Sequence, residues 1–179
     1  MNEYFEPTLL PPNKNTSDKS EMIHESVSIN KSLIDKLCLG SDLKPSSYFL
    51  AGAVIVLSKY CGNESVFIST LINSLDIPLI VNDKNRAQTT DNYIKLIEKA
   101  LKHPVHGDSE KPMFRFIYGS NDISNDNTTT LIIDENLKFY RLKLTFDRHK
   151  YTTSYIRSFL RSIEKVINQF RGLNFLVFR

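Results

Sequence analysis

Cysteine is scarce in this sequence: Cys38 and Cys61 are the only two among 179 residues. They form no CxxC pair and belong to no evenly spaced set. That excludes a disulfide framework, argues against a zinc site and fits a reducing compartment. Charge of one sign is missing as well. Lys and Arg number 23 against 20 Asp and Glu, a net charge of +3, and the cations are scattered among the acids. With no basic stripe, nucleic acid is not an expected partner. Long hydrophobic runs are also absent. The longest, Tyr48 to Leu57, falls far short of the ~20 residues that cross a bilayer. The opening residues, MNEYFEPTLLPP, lack a basic segment followed by an apolar one, so no secretory signal is expected. The expected location is the cytoplasm, without membrane contact. No P-loop, dinucleotide glycine fingerprint or HExxH string occurs, and there is no internal repeat or low-complexity tract.

What is present is an ordinary globular composition, 41% hydrophobic and 24% charged. A chain of this length forms one domain and can bury roughly 70% of its unfolded surface. Residues 1–22 are polar and carry Pro7, Pro11 and Pro12, which predicts an extended arm. His24 to Ile29 alternates weakly, as a strand does. Asn30 can cap a short helix bearing Leu33, Ile34 and Leu37, with Gly40 as its stop. Pro45 sits where a missing N–H costs little at a helix start. The helix it opens is apolar on every face from Tyr48 to Leu57 and therefore belongs in the middle of the fold.

Val66 to Ile72 and Ile77 to Val81 are short apolar runs that read as strands buried on both faces. Tyr93, Ile94, Ile97, Ala100 and Leu101 share one helical face, and Pro104 ends that helix. Met113 to Tyr118 is a third apolar run. Thr128 to Ile133 and Leu137 to Phe146 flank Asp134-Glu135-Asn136, which predicts a hairpin with Tyr140, Leu142, Leu144 and Phe146 on one face. The last helix has an unbroken stripe: Ile156, Phe159, Leu160, Ile163, Val166, Ile167 and Phe170. Thr152 or Thr153 can cap it and Gly172 can end it. Helices alternate with strands and a hairpin comes late, which predicts an α/β domain with a mixed sheet covered by helices.

Few residues are candidates for chemistry. His103 and His106 lie near Asp108, but two imidazoles and one carboxylate in a loop are too few for a zinc site, and a solvated loop is the simpler reading. His24 and His149 stand alone. Cys61 would need a neighbouring base to be a nucleophile, and none is visible. Asp147-Arg148 reads as an ion pair or turn cap, and Ser69-Thr70 as a strand end. No catalytic, cofactor-binding or metal-binding residue is therefore assigned. The tail, LNFLVFR, is different: Leu173, Phe175, Leu176, Val177 and Phe178 are large and apolar and need a strand edge or groove to cover them.

Several strings, in order, resemble the C-terminal lobe of the condensation domain of nonribosomal peptide synthetases. Tyr4-Phe5 with Leu9-Leu10-Pro11 looks like the segment joining the two lobes of that family. VLSKYCG, at the end of the Pro45 helix, is similar to its "LLSRYTG" turn. ESVFIST, Glu64 to Thr70, is similar to "DIVVGTP". Asn73-Ser74-Leu75 with Pro78-Leu79 resembles "VNTLPLR", and Lys111 to Phe114 resembles "NPLFQV". LKLTFD, Leu142 to Asp147, with the helix after Thr152, is similar to the family's ending.

The resemblance implies a single lobe of the two-layer, chloramphenicol-acetyltransferase-like sandwich. Its parts would be an arm over 1–22, the C-terminal lobe over 23–172 and an apolar tail or edge strand over 173–179. The family's HHxxxDG motif belongs to the N-terminal lobe, which is expected to be absent. Thr70 also runs almost directly into Asn73, where the family has a longer glycine-rich segment that helps roof its channel.

The implied role is a truncated, non-catalytic condensation domain that docks an adenylation domain or carrier protein. Phosphopantetheine would be present only on the carrier, in the making of a peptide antibiotic or siderophore. The tail would then either pack on the platform shared with the adenylation domain or add an edge strand to its own sheet. Two alternatives stand beside this role. One is half of a split condensation enzyme completed in trans. The other is a generic binding module with only the fold in common.

Overall fold

Ten elements follow one another in the computed structural model, which describes residues 6–15, 17–63, 65–73, 75–82 (backbone only), 89–103, 113–120 and 126–170. They are β1 (Met22–Asn30), α1 (Lys31–Cys38), α2 (Pro45–Cys61), β2 (Ser65–Ile72), β3 (Leu75–Asn82), α3 (Thr90–Lys102), β4 (Phe114–Tyr118), β5 (Thr129–Glu135), β6 (Phe139–Asp147) and α4 (Thr153–Gln169). The strands make one six-stranded sheet in the order β1-β6-β5-β4-β2-β3. β2, β4 and β5 run parallel; β3, β6 and β1 pair antiparallel to their neighbours. The expected α/β architecture, a mixed sheet covered by helices, is the one observed.

Local sequence explains most boundaries. Asn30 caps α1 by accepting from the Ser32 N–H, and Gly40, at φ 74°, follows the helix end. Pro45 occupies the first turn of α2, and Gly62 ends that helix in the left-handed region at φ 66°. Thr89 caps α3 and Thr152 caps α4, each accepting from a backbone N–H three residues on.

The period of two in the strands decides which face meets the helices. Register places Thr70, Phe116, Leu131 and Leu144 in one row across β2, β4, β5 and β6. That face carries Val66, Ile68, Phe114, Phe116, Leu131, Ile133, Tyr140, Leu142, Leu144 and Phe146, all buried in one core. Ile34, Phe49, Ile94 and Ile163, from the four helices, belong to the same core, so the domain has two layers.

α2 is buried without a break from Ser46 to Leu57. Two of its buried polar side chains are satisfied: the Ser47 hydroxyl donates to Glu98 at 2.7 Å and the Tyr48 hydroxyl to the Leu37 carbonyl at 2.9 Å. α4 lies against it, with Ile156, Phe159, Leu160, Ile163 and Ile167 inward. Its outer side holds Arg157, which grips Glu25 of β1 with two nitrogens at 3.0 and 3.2 Å.

β3 is an edge strand, which suits Pro78, whose missing N–H is tolerated at an edge. One expectation shifts. The β5–β6 turn begins later than the polar residues imply. Asp134 and Glu135 stay in the ladder opposite Arg141 and Tyr140, and the turn falls on residues 136–138. Polar residues at a strand end look like a turn until their cross-strand partners are known. The tail at 173–179 and Gly172 lie outside the described residues.

At Gly52 side chains of α4 lie directly against the α2 backbone. A Cβ there would stand 2.8 Å from Cγ1 of Ile167 and 3.5 Å from Cγ2 of Ile163. Substituting Gly52→Val is expected to cost about 1–3 kcal/mol through overpacking. Urea unfolding of the two chains measures it, and an unchanged midpoint would show that the helices are not in contact here.

Candidate functional site

The carboxyl ends of parallel strands are where open α/β sheets usually hold ligands. Here those ends bring together Asn73 after β2, Tyr118 and Gly119 at the end of β4, and Glu135 at the end of β5. The Asn73 N–H donates to the Tyr118 carbonyl at 3.0 Å. Asn73 itself is left-handed, at φ 51°. Gly119 is left-handed too, and a Cβ on it would lie 2.7 Å from Oδ1 of Asn73, so only glycine fits both its backbone and its neighbour.

Beside this corner Lys31, the first residue of α1, pairs with Glu135 and lies 5.9 Å from the Tyr140 ring centroid. Glu135 holds the Lys31 ammonium above its usual value. Tyr140 packs on Phe49 at 4.9 Å between ring centroids. Burial pushes the Tyr140 and Tyr118 phenols up, and the two hydroxyls hydrogen-bond to each other. At neutral pH this rim therefore offers neutral hydroxyls, an amide and a paired cation. It can hold a hydrogen-bonding group, and the carboxylate it contains, Glu135, is engaged by Lys31. Nothing in the sequence singled out Tyr118 or Tyr140. The one available signal was a Tyr-Gly pair closing an apolar run.

The residues weighed earlier do not converge. His103 is exposed at the end of α3, its N–H bonded to the Lys99 carbonyl, while His106 and Asp108 lie outside the described residues. His24 is exposed on β1, opposite Thr145. His149 stands 4.0 Å from Glu21. Among the described residues no group of three or more His, Cys, Asp or Glu could hold a metal ion, and no helix is long and apolar enough to cross a membrane.

Cys61 is half-buried, and burial pushes its thiol up to about 11. It is a donor, giving its hydrogen to the Leu9 carbonyl at 3.0 Å, rather than a thiolate nucleophile. Asp147 is buried and caps the β6–α4 turn. Burial works to raise its pKa, but the N–H groups of His149 (2.9 Å) and Glu21 (3.2 Å) outweigh that and hold it below 3.8. Arg148 turns instead to Glu21, at 3.2 Å. The apolar anchors Leu173, Phe175, Leu176, Val177 and Phe178 lie outside the described residues.

No protein-family profile and no curated protein matches this chain. Solved structures do. The epimerization domain from the third module of tyrocidine synthetase B superposes with a TM-score of 0.69 at 12% identity, over 90% of this chain and 51% of that one. The EpoB cyclization-docking bidomain from Sorangium cellulosum gives 0.72 at 11% identity, over 97% and 46%. The condensation domain from the Monacolin K polyketide synthase MokA gives 0.65 at 13% identity, over 98% and 54%. The fold is thus that of a single lobe of the condensation, epimerization and cyclization domains, and this chain spans about half the length of the chains it matches.

Two measurements probe the electrostatics. With the Cys61 thiol near 11 rather than 9.0, its alkylation at pH 8 should be roughly 100-fold slower than that of a cysteine peptide. Mass spectrometry of labelled peptides follows it, and an ordinary rate would place Cys61 in water. Asp147 is depressed in the folded state, so its stabilisation is complete above its ordinary value of 3.8 and is lost as pH falls through the lower folded value. Asp147→Ala should cost about 1–3 kcal/mol at pH 7 by taking a charged acceptor from two part-buried N–H groups. The variant's stability should also vary less with pH below pH 4 than the parent's, as read from thermal melts. Parallel acid limbs would remove Asp147 from that role.

Proposed function

We propose that this chain is a non-catalytic lobe of a nonribosomal-peptide-synthetase condensation-type domain, working in the cytoplasm as a docking platform for an adenylation or carrier domain. The observation that carries the reading is a pairing. Over 98% of its length the chain overlies about half of a condensation domain, yet its 179 residues contain no HHxxxDG. The rim at the strand ends supports it, since among the described residues the carboxylate there, Glu135, is tied up by Lys31. So does a neighbour of the same fold: the X-domain from teicoplanin biosynthesis, matched at a TM-score of 0.68 and 10% identity, is known in complex with OxyB. Fold alone does not fix function, so the role rests on the combination.

In this reading the chain needs no cofactor; phosphopantetheine is carried by the partner. Leu173, Phe175, Leu176, Val177 and Phe178 supply apolar anchors, and the pathway makes a peptide antibiotic or siderophore. The half-length match also favours a second reading, in which a separate lobe bearing HHxxxDG completes the site in trans.

One experiment separates them. The chain is immobilised and exposed to adenylation and carrier domains encoded beside it, and amide formation from aminoacyl thioesters is assayed with and without an HHxxxDG lobe. Docking predicts retention that Phe175→Asp with Phe178→Asp weakens at least ~10-fold, and no amide product in either assay. Product only with the added lobe selects the split enzyme, and absence of retention overturns the platform.

A further inference from the structure

Residues 8–14 are held in a seat built from distant parts of the chain. Pairing of β2 with β4 begins only at Ser69, which leaves the first half of β2 open on that side. Thr8 fills the gap: its N–H donates to the Phe67 carbonyl at 2.9 Å and its hydroxyl accepts from the Phe67 N–H at 2.8 Å. The next three carbonyls each meet a different side-chain donor. Leu9 O accepts from the Cys61 thiol at 3.0 Å, Leu10 O from the Tyr151 hydroxyl at 2.6 Å and Pro11 O from the Tyr155 hydroxyl at 2.9 Å.

Asn13 closes the series. Its N–H donates to the Lys150 carbonyl at 3.1 Å, and its side-chain amide accepts from the Thr152 N–H (2.9 Å) and donates to the Thr152 hydroxyl (2.8 Å). Two side chains go under: Thr8 is 1% and Leu10 0% exposed, whereas Leu9 is 39% exposed. Around the seat the Tyr151 and Tyr155 rings stack at 6.2 Å, and Tyr60 meets Tyr155 edge-on at 5.6 Å.

Such an arrangement reads an extended peptide. Donors aimed at successive carbonyls hold any sequence, and the two buried positions, Thr8 and Leu10, select the side chains. Pro11 and Pro12 pre-set an extended backbone and carry no N–H that would need a partner. The Leu-Leu-Pro-Pro string occurs once in the sequence, so the chain has one segment that fits. Asp18, Lys19 and Ser20, between the arm and β1, are exposed and contribute nothing to the core. The seat's contacts join residues 52 to 144 positions apart and are indifferent to how the arm is connected.

We propose that this seat is a recognition site for an extended Leu-Pro-Pro-Asn segment, filled in cis by residues 8–14 and open in trans to the same segment of a second copy, giving an arm-exchanged dimer. The inference does not depend on the docking role proposed above.

The test uses the full chain with a specific protease site inserted between Ser17 and Asp18. After cutting, the arm fragment is expected to stay with the lobe through gel filtration at micromolar concentration. A labelled peptide spanning residues 6–15 should exchange into the cut protein. The same peptide with Leu10→Asp should bind at least ~10-fold more weakly, because a carboxylate cannot enter a dry pocket. Uncut chain held at millimolar concentration should form a dimer that excess peptide disperses. Departure of the arm on cutting, or equal binding of the two peptides, overturns the recognition site. Peptide binding without a dimer overturns the second copy as its occupant.

Discussion

The contact on which the rest of this structure depends is that of α2 with α4 over the sheet. α2 has no face left for water: twelve consecutive residues, Ser46 to Leu57, are buried. A helix of that kind is stable only if every side of it is covered. The sheet covers one side, α1 and α3 the flanks, and α4 the remainder. Gly52 lets the Ile163–Ile167 stripe of α4 settle against the α2 backbone. Full burial of each Val, Leu, Ile or Phe contributes about 1.5–3 kcal/mol, so the density of such residues in α2 makes it the centre of the hydrophobic term.

Around that centre the polar groups close turns, caps and the arm. Asp147 accepts from the His149 N–H of the β6–α4 turn and from the Glu21 N–H just before β1, Thr152 caps α4 and also holds Asn13, and Tyr151 and Tyr155 end on arm carbonyls. Each is a buried or half-buried group made harmless by a partner. The same economy marks the strand-end rim, where Lys31 is answered by Glu135 and Tyr118 by Tyr140. Burial raises the phenols and the Cys61 thiol. These shifts keep the groups neutral, which favours stability and disfavours proton transfer.

Much of the architecture was legible in the residues. The α2 start at Pro45 and stop at Gly62, the α4 stripe and the β6 alternation are local signals, because caps and hydrophobic periods act within a few residues. The lobe resemblance was legible because several such signals occur in one order. The rim was not, since Tyr118, Tyr140, Lys31 and Glu135 come from four elements and meet only through strand order. Nor was the seat of the arm: Cys61, Phe67, Tyr151 and Tyr155 read as core or surface until Leu9, Leu10 and Pro11 are laid across them. The apolar tail at 173–178 was singled out by composition, and it falls outside the described residues.

By itself the sequence determined which segments are helices and strands, which faces are apolar, and that α2 must be central. These follow from backbone preference and from the 3.6- and 2-residue periods, which need no partner to be read. Tertiary structure alone decided the strand order, the edge position of β3, the corner at Asn73 and Gly119, and the capture of residues 8–14. Those depend on long-range register and on hydrogen bonds between residues more than fifty positions apart, and no local pattern encodes a partner at that distance.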